Sequence, residues 1–383
     1  MLRNSHETIL ELARAGNFHA IRELFKSGVI IEDYDQLISE IQLIGINSYP
    51  TIDLINRYRS SVKLYRQLIK QNLIPDDTRW EMKLSGAMSG VTLFLKSKNG
   101  KEKKVFLKTY NDPDFEGVPL QKELFNALND YALFTILKKC GVSVPSVKLM
   151  GTEGSVYISS KDMGRHKKKR LLKEYYYFDL TAHSCVYKDE SGCLETDINV
   201  FQQGHNNEES ATKKLNRFFK YPFDKTSFAR LLIMNCILNL GDVRYANIGV
   251  VISRDYELIN AKVALVDFYT KPFCIYIPPN EHSISNYIES FGTISCEITT
   301  NFVQSYSESD YILAFQKINE FFIPACDTAL TDIKGMSFES DVAKAEIAVT
   351  IETWKKNFTA FKGLVERAAI NQPQASGRER KTV

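Results

Sequence analysis

The chain has 383 residues, 44% of them hydrophobic and 11% aromatic, which excludes both a disordered chain and a small scaffold dependent on disulfides. At about 150 residues per domain, the length predicts two to three compact units. Lys plus Arg exceed Asp plus Glu by 49 − 46 = 3, too balanced for a nucleic-acid coat, so no DNA partner is expected and any anion site must come from local clustering.

The cysteines Cys140, Cys185, Cys193, Cys236, Cys274, Cys296 and Cys326 are odd in number and scattered, with no CxxC pair, which is the pattern of reduced thiols in a cytoplasmic compartment. His183, Cys185, Cys193 and His205 are zinc-ligand types, but their spacing matches no familiar zinc module. The N-terminal segment MLRNSHETILELARAG lacks the apolar run of a signal peptide. The most apolar later stretch, 228–240, carries Arg230, Asn235 and Asn239, so no transmembrane segment is expected.

Residues 1–76 read as a helical extension. Ile9, Leu10, Leu12 and Ala13, then Ile21, Leu24 and Phe25, recur at helical spacing, broken at Gly16-Asn17 and Ser27-Gly28. The phrase TILELARAGNFHAIRELFKSG is similar to one ankyrin repeat, but it has no second copy, and a helical hairpin is the expectation. From about residue 77 the pattern turns to strands. VTLFLKS and KKVFLKTY flank Asn99-Gly100 as a predicted hairpin, with a glycine-bearing segment, 85–90, just before it. A helix is predicted from about Leu120 to Lys139, ended by Cys140-Gly141, and then two strands, SVKLM and SVYISSK. The remainder from 205 to 370 reads as mostly helical, interrupted by β-like pieces near 248–278. Its strongest helical patterns run from Ser309 to about Phe322 and from Asp341 to about Ala369, the second with a core stripe of Ile347, Ile351, Trp354, Phe358, Phe361, Leu364 and Val365. Residues 371–383 form a polar tail.

The most informative stretch is Gly241-Asp242-Val243-Arg244-Tyr245-Ala246-Asn247-Ile248, followed by Val263-Ala264-Leu265-Val266-Asp267-Phe268. Phosphoryl transfer needs one carboxylate to orient the attacking hydroxyl and take its proton. It also needs a carboxylate and an amide oxygen to hold a divalent cation on the nucleotide phosphates. Asp242, Asp267 and Asn247 are residues of those types.

GDVRYANI with VALVDF resembles the catalytic loop and metal segment of the protein-kinase-like superfamily. The GDxxxxN form is similar to its atypical members: aminoglycoside and choline phosphotransferases, phosphoinositide kinases and several bacterial effector kinases. The resemblance is confined to motifs within about residues 78–270. It implies an α+β fold, two-lobed and protein-kinase-like, with additional N- and C-terminal helices. The lobes would be 77–163 and 164–325, between the extension 1–76 and C-terminal helices over 326–370. It further implies ATP and Mg2+ or Mn2+, with Asp242 as catalytic base, Asn247 as a metal ligand and Asp267 as the principal one. Lys108 in VFLK matches the strand lysine that pairs nucleotide phosphates, and Glu123 matches the helix glutamate that holds it. Ser85, Gly86, Ser89 and Gly90 match the phosphate-covering loop, and Ile158 to Met163 the hinge cradling adenine, so that Met163 would contact the nucleotide. The chain departs from the ordinary protein-kinase pattern in three places: the glycine loop is not GxGxxG, no His-Arg precedes Asp242, and the metal segment is Asp267-Phe268-Tyr269 without a glycine. These departures are normal among atypical relatives. The expectation is an atypical Ser/Thr protein kinase of the bacterial effector kind, acting in the cytoplasm or secreted by a bacterium into a host cell. A lipid (phosphoinositide) or small-molecule kinase, AMP transfer, and a nucleotide-binding pseudokinase scaffold stay open at this point.

Between the hinge and the catalytic loop lies a basic run, Arg165, His166, Lys167, Lys168, Lys169, Arg170 and Lys173, followed by Tyr175-Tyr176-Tyr177-Phe178. A second basic set, Lys213, Lys214, Arg217 and Lys220, falls at helical spacing. The first run alone reads as a solvated face, a flexible loop or a nuclear localisation signal. Together they could form a polyanion pocket for an inositol polyphosphate, a phosphoinositide headgroup, a phosphorylated or acidic protein segment, or RNA as the weakest of these candidates.

Overall fold

The computed structural model describes residues 5–45, 49–82, 90–96, 99–110, 120–152, 155–161, 166–168, 171–179, 184–188, 194–196, 225–241, 248–253, 262–265, 269–270, 273–291, 306–336 and 340–371. The fold is α+β, and the chain divides into two compact units. One comprises Met1–Tyr131, Ser146–Asp162 and Met336–Lys344, and the other Ala132–Pro145, Met163–Gly335 and Ala345–Val383.

The first unit opens with helices α1 (Ser5–Arg14), α2 (Phe18–Lys26), α3 (Tyr34–Gln42) and α4 (Tyr49–Lys70). Gly16 ends α1 in the left-handed region at φ 64°, where a side chain is disfavoured, and Asn17 then accepts from the Ala20 N–H at 3.1 Å to start α2. Helix α4 joins two cores. Its Ile55 and Tyr58 pack with Ile9, Ile21, Phe25, Leu37 and Ile41 of the first three helices, and Tyr58 stacks on Phe25 at 4.4 Å. Farther along, Leu64 and Leu68 pack with Val91, Leu93, Leu107 and Tyr157 of a sheet. The helical extension and the sheet therefore share α4 and form one unit.

That sheet is antiparallel, in the order β1-β2-β3-β5-β4: β1 (Arg79–Met82), β2 (Gly90–Lys96), β3 (Glu102–Thr109), β4 (Val147–Thr152) and β5 (Ser155–Lys161). The predicted hairpin is β2–β3, with Gly100 at φ 71° in its turn. Strand β1 is an addition to the sequence reading. RWEM is too short and polar to show alternation, and it is fixed by long-range contacts: Trp80 stacks on Tyr65, and the Arg79 guanidinium lies 3.4 Å over the Phe94 ring. Helix α5 (Leu120–Lys139) follows β3, and the division between the units falls within it.

The second unit centres on α6 (Lys225–Leu238), where Leu231, Leu232, Ile233, Met234, Cys236 and Ile237 are all buried, so the helix is apolar all round. Burial pushes the Cys236 thiol well above its usual range, so this sulfur is an inert core group. Around α6 stand α7 (Ile284–Phe291), α8 (Glu308–Lys334) and most of α9 (Asp341–Asn371), joined by aromatic packing such as Phe322 on Phe358 at 4.8 Å. Trp354, Phe358, Phe361 and Leu364 are buried, as the stripe predicts. Helix α8 does not stop near Phe322. It continues through Pro324, whose lost backbone bond costs about 3 kcal/mol, because Ala325, Cys326, Ala329 and Ile333 beyond it are all buried.

The basic run also differs from an open loop. β6 (His166–Lys168) pairs with β7 (Leu171–Asp179) as a hairpin, and β7 continues into the aromatic segment, whose residues favour strands. These strands belong to a second sheet with β8 (Ser184–Lys188), β9 (Leu194–Thr196), β11 (Ile248–Ser253) and β12 (Lys262–Leu265), while β10 (Leu240–Gly241) pairs with β13 (Tyr269–Thr270). No helix among the described residues is long and apolar enough to cross a membrane, and none of them groups three or more His, Cys, Asp or Glu in a cluster able to hold a metal ion. His183, Cys193 and His205 lie outside the described residues.

Candidate active site

Lys108 sits on β3, opposite Gly90 of β2 and Ile158 of β5. Strand alternation sends Leu107 into the core shared with α4 and Lys108 to the other face, where it reaches Asp130 of α5. There the Lys108 ammonium pairs with the Asp130 carboxylate at 2.8 Å, with side-chain exposures of 19% and 5%. The Tyr110 hydroxyl also donates to Asp130, and its ring lies 5.2 Å from the Lys108 nitrogen. Burial first, and then the Asp130 charge, hold the Tyr110 hydroxyl well above its usual range, so it acts as a neutral donor.

The resemblance assigns this lysine's partner to Glu123, whereas in the structure the ammonium is on Asp130. The two acids are seven residues apart on one face of α5, about 10 Å along the axis, and Lys108 meets the middle of the helix instead of its first turn. The sequence holds a general signal for a buried acid on α5, one that does not choose between Asp130 and Glu123. An acid beside Leu128 and Leu133 in an apolar helix would be buried, and a buried carboxylate calls for a cation.

Glu123 is buried, and desolvation holds its carboxyl above the ordinary 4.5. A raised folded-state pKa means that the folded protein binds this proton more tightly than the unfolded chain. The stability contribution therefore falls as pH rises from 4.5 through the raised value, and it stays low above it. Glu123→Gln, neutral at every pH, should raise the melting temperature at pH 8 and leave it unchanged below the ordinary 4.5. Thermal melts across that range check the sign.

Of the expected phosphate loop, Gly90 is described; Ser85, Gly86 and Ser89 lie outside the described residues, as does Met163 of the hinge. Gly90 opens β2, and its carbonyl accepts from the buried Ser61 hydroxyl of α4 at 2.8 Å. The Tyr157 hydroxyl, one residue before the segment expected as the hinge, donates to Gln71 at 2.8 Å, so the helical extension bonds to both β2 and β5. Ser61→Ala removes this bond, and a loss of about 1 kcal/mol is expected in denaturant unfolding.

Asp242, Asn247 and Asp267 lie outside the described residues, but their neighbours are paired. Leu240 and Gly241 pair with Thr270 and Tyr269, and Ile248 pairs with Leu265. Asp242 follows Gly241 and Asn247 precedes Ile248, while Asp267 lies between Leu265 and Tyr269. Two ladders thus tie together the segments that carry the three residues. A carboxylate and an amide oxygen are hard donors of the kind that suit Mg2+ or Mn2+.

Of the basic residues, His166, Lys167 and Lys168 lie on β6 and Lys173 on β7, with His166 opposite Lys173. Lys173 is also opposite Ser253, the end of β11 away from Asn247, about 17 Å along the strand from Ile248. Arg165, Lys169, Arg170, Lys213, Lys214, Arg217 and Lys220 lie outside the described residues.

No family model matches the chain, and no curated protein matches it. Among solved structures it is similar to the proinflammatory kinase CtkA of Helicobacter pylori, at 14% identity over 78% of this chain and 97% of that one, with a TM-score of 0.42. It is also similar to a chain of the Shewanella oneidensis MR-1 toxin–antitoxin complex of HipA, HipB and operator DNA, at 10% identity over 81% and 73% of the chains and a TM-score of 0.42. A third similar structure is the Rio2 kinase of Chaetomium thermophilum in its ADP/Mg2+-phosphoaspartate complex, at 12% identity over 89% and 98% and a TM-score of 0.27.

Proposed function

We propose that this chain is an ATP- and divalent-metal-dependent phosphotransferase of the protein-kinase-like kind, acting on protein hydroxyl groups. The observation that carries the reading is the Lys108–Asp130 pair. A lysine ending VFLK on the third strand, held by a buried carboxylate of the following helix, is the setting a nucleotide-phosphate lysine requires. Asp130, buttressed by Tyr110, fixes the direction of the ammonium, and Lys108 meets the charge of the nucleotide phosphates. Asp242 accepts a hydrogen bond from the acceptor hydroxyl and takes its proton as the oxygen attacks the γ-phosphorus. The bond from that phosphorus to the β–γ bridging oxygen breaks, and ADP leaves. Asn247 and Asp267 would hold a divalent cation, which supplies charge neutralisation at the phosphates.

The basic β6–β7 hairpin meets β11 at Ser253, the end away from Ile248, which supports a regulatory role for an inositol polyphosphate or another polyanion over contact with ATP. Full-length protein given ATP, Mg2+ and a generic protein acceptor should form ADP and add one phosphoryl mass to the acceptor. Lys108→Met should lose that activity. An added AMP mass, or turnover untouched by Lys108→Met, contradicts the reading.

A further inference from the structure

We propose that Asn357 of α9, outside the stretch that carries the kinase-like motifs, is a positioning residue: it sets the spacing of the two backbone segments that lead into Asp242 and away from Asp267. The proposal rests on the phosphotransferase reading above and assigns that site a support in the C-terminal helix.

Asn357 lies three residues from Trp354 in a helix face of large apolar groups, and it is 1% exposed. Its amide nitrogen donates to the Ile237 carbonyl at 2.9 Å and the Phe273 carbonyl at 2.7 Å, and its amide oxygen accepts from the Ile275 N–H at 3.0 Å. Both amide hydrogens are therefore used, on partners from two different segments. Ile237 is in the last turn of α6, where carbonyls lack helical partners, five residues before Asp242. Phe273 is six residues after Asp267. Between these points Asn239, at φ 49°, turns the chain, and Leu240–Gly241 pairs with Tyr269–Thr270.

The same two segments are thus cross-linked twice, by the β10–β13 ladder and by the Asn357 amide. Among the described residues the ladder is two residues long. The amide bridge is what prevents the segments from sliding or parting beyond it. An apolar side chain could fill the same volume, but it would remove the bonds to the buried Ile237 carbonyl, the half-buried Phe273 carbonyl and the buried Ile275 N–H, and leave the spacing unset.

The test compares full-length wild type, Asn357→Ala, Asn357→Asp and Ile351→Ala. Ile351 is a buried α9 side chain that serves as a control for lost stability. Amide exchange without nucleotide should show Asn357→Ala losing protection at Ile275 and across 237–241 and 269–275, while Ile351→Ala keeps it. In Asn357→Ala, kcat should fall about 100-fold with the KM for ATP changed less than about threefold. The Mg2+ concentration for half-maximal rate should rise about tenfold. Ile351→Ala, compared at equal margin below its own melting temperature, should stay within about threefold of wild type in kcat. If Asn357→Ala does not fold, Asn357→Asp carries the comparison. Its carboxylate cannot donate to the two carbonyls, but its protonated form donates to one, so its rate relative to wild type should recover as pH falls.

Rates and Mg2+ requirement in the Asn357 variants that match Ile351→Ala would reduce Asn357 to a core residue and overturn the proposal, as would unchanged exchange at Ile275. A wild-type protein that transfers no phosphoryl group overturns the site reading and the role of Asn357 with it. Loss of protection in Asn357→Ala would then identify the amide as a clip of the fold alone.

Discussion

Asp267→Ala is expected to lower phosphoryl transfer by at least about a thousandfold, because it removes the carboxylate assigned to the cation and with it the main charge neutralisation at the phosphates. The loss should be visible before any chemistry. Titration calorimetry should show that ATP binding to Asp267→Ala no longer strengthens when Mg2+ is added. Asp242→Asn is expected to lose transfer to a similar extent while binding Mg2+ and ATP like wild type, since an amide can still orient the acceptor hydroxyl but cannot take its proton. The split between the two variants carries the information. Loss of metal-dependent binding in Asp242→Asn, or its retention in Asp267→Ala, would reverse the roles given to these residues.

The second large effect is expected at Asp130. Asp130→Asn removes the countercharge from Lys108 while keeping the shape of the side chain, so the ammonium loses its direction and its partner. Transfer should fall about 100-fold, mainly through misplacement of the lysine. Stability should fall by about 2 kcal/mol, less than for a fully buried pair because Lys108 keeps 19% of its side chain exposed. Glu123→Gln provides the contrast. It should gain stability at neutral pH and keep most of the activity. If instead Glu123→Gln loses transfer and Asp130→Asn keeps it, the pair seen on Lys108 is not the working one, and Glu123, the position given by the sequence resemblance, takes the role. Steady-state rates and urea unfolding on the same preparations decide between them.

Much of the architecture was legible locally. Gly16 and Gly28 end helices where the sequence places breaks, Asn99-Gly100 turns the β2–β3 hairpin, and the apolar stripe of α9 is the buried face. The stretches that could not be read depend on partners far along the chain. RWEM becomes β1 with the support of Trp80 stacked on α4, and the basic run becomes a hairpin alongside β7, which pairs with β11 about 75 residues later. Pro324 disfavours the helix locally, and burial of the residues beyond it outweighs that cost. The site divides the same way. Lys108 and its strand follow from VFLK, whereas the choice of Asp130 over Glu123 depends on which turn of α5 lies over β3, which the spacing of charged residues does not encode. Ser61 and Asn357 gave no periodic signal as partners because their bonds are to backbone groups on distant segments.

The central claim is tested most directly by following label from γ-labelled ATP with Mg2+ or Mn2+, together with intact mass, in wild type and Asp267→Ala, with and without inositol hexakisphosphate and protein acceptors. The account predicts label in protein from wild type, as whole phosphoryl increments, and none from Asp267→Ala. Stimulation by the polyanion would assign the β6–β7 hairpin a regulatory ligand. Equal label from both proteins, or saturable ATP binding by wild type with no transfer to any acceptor, would contradict it.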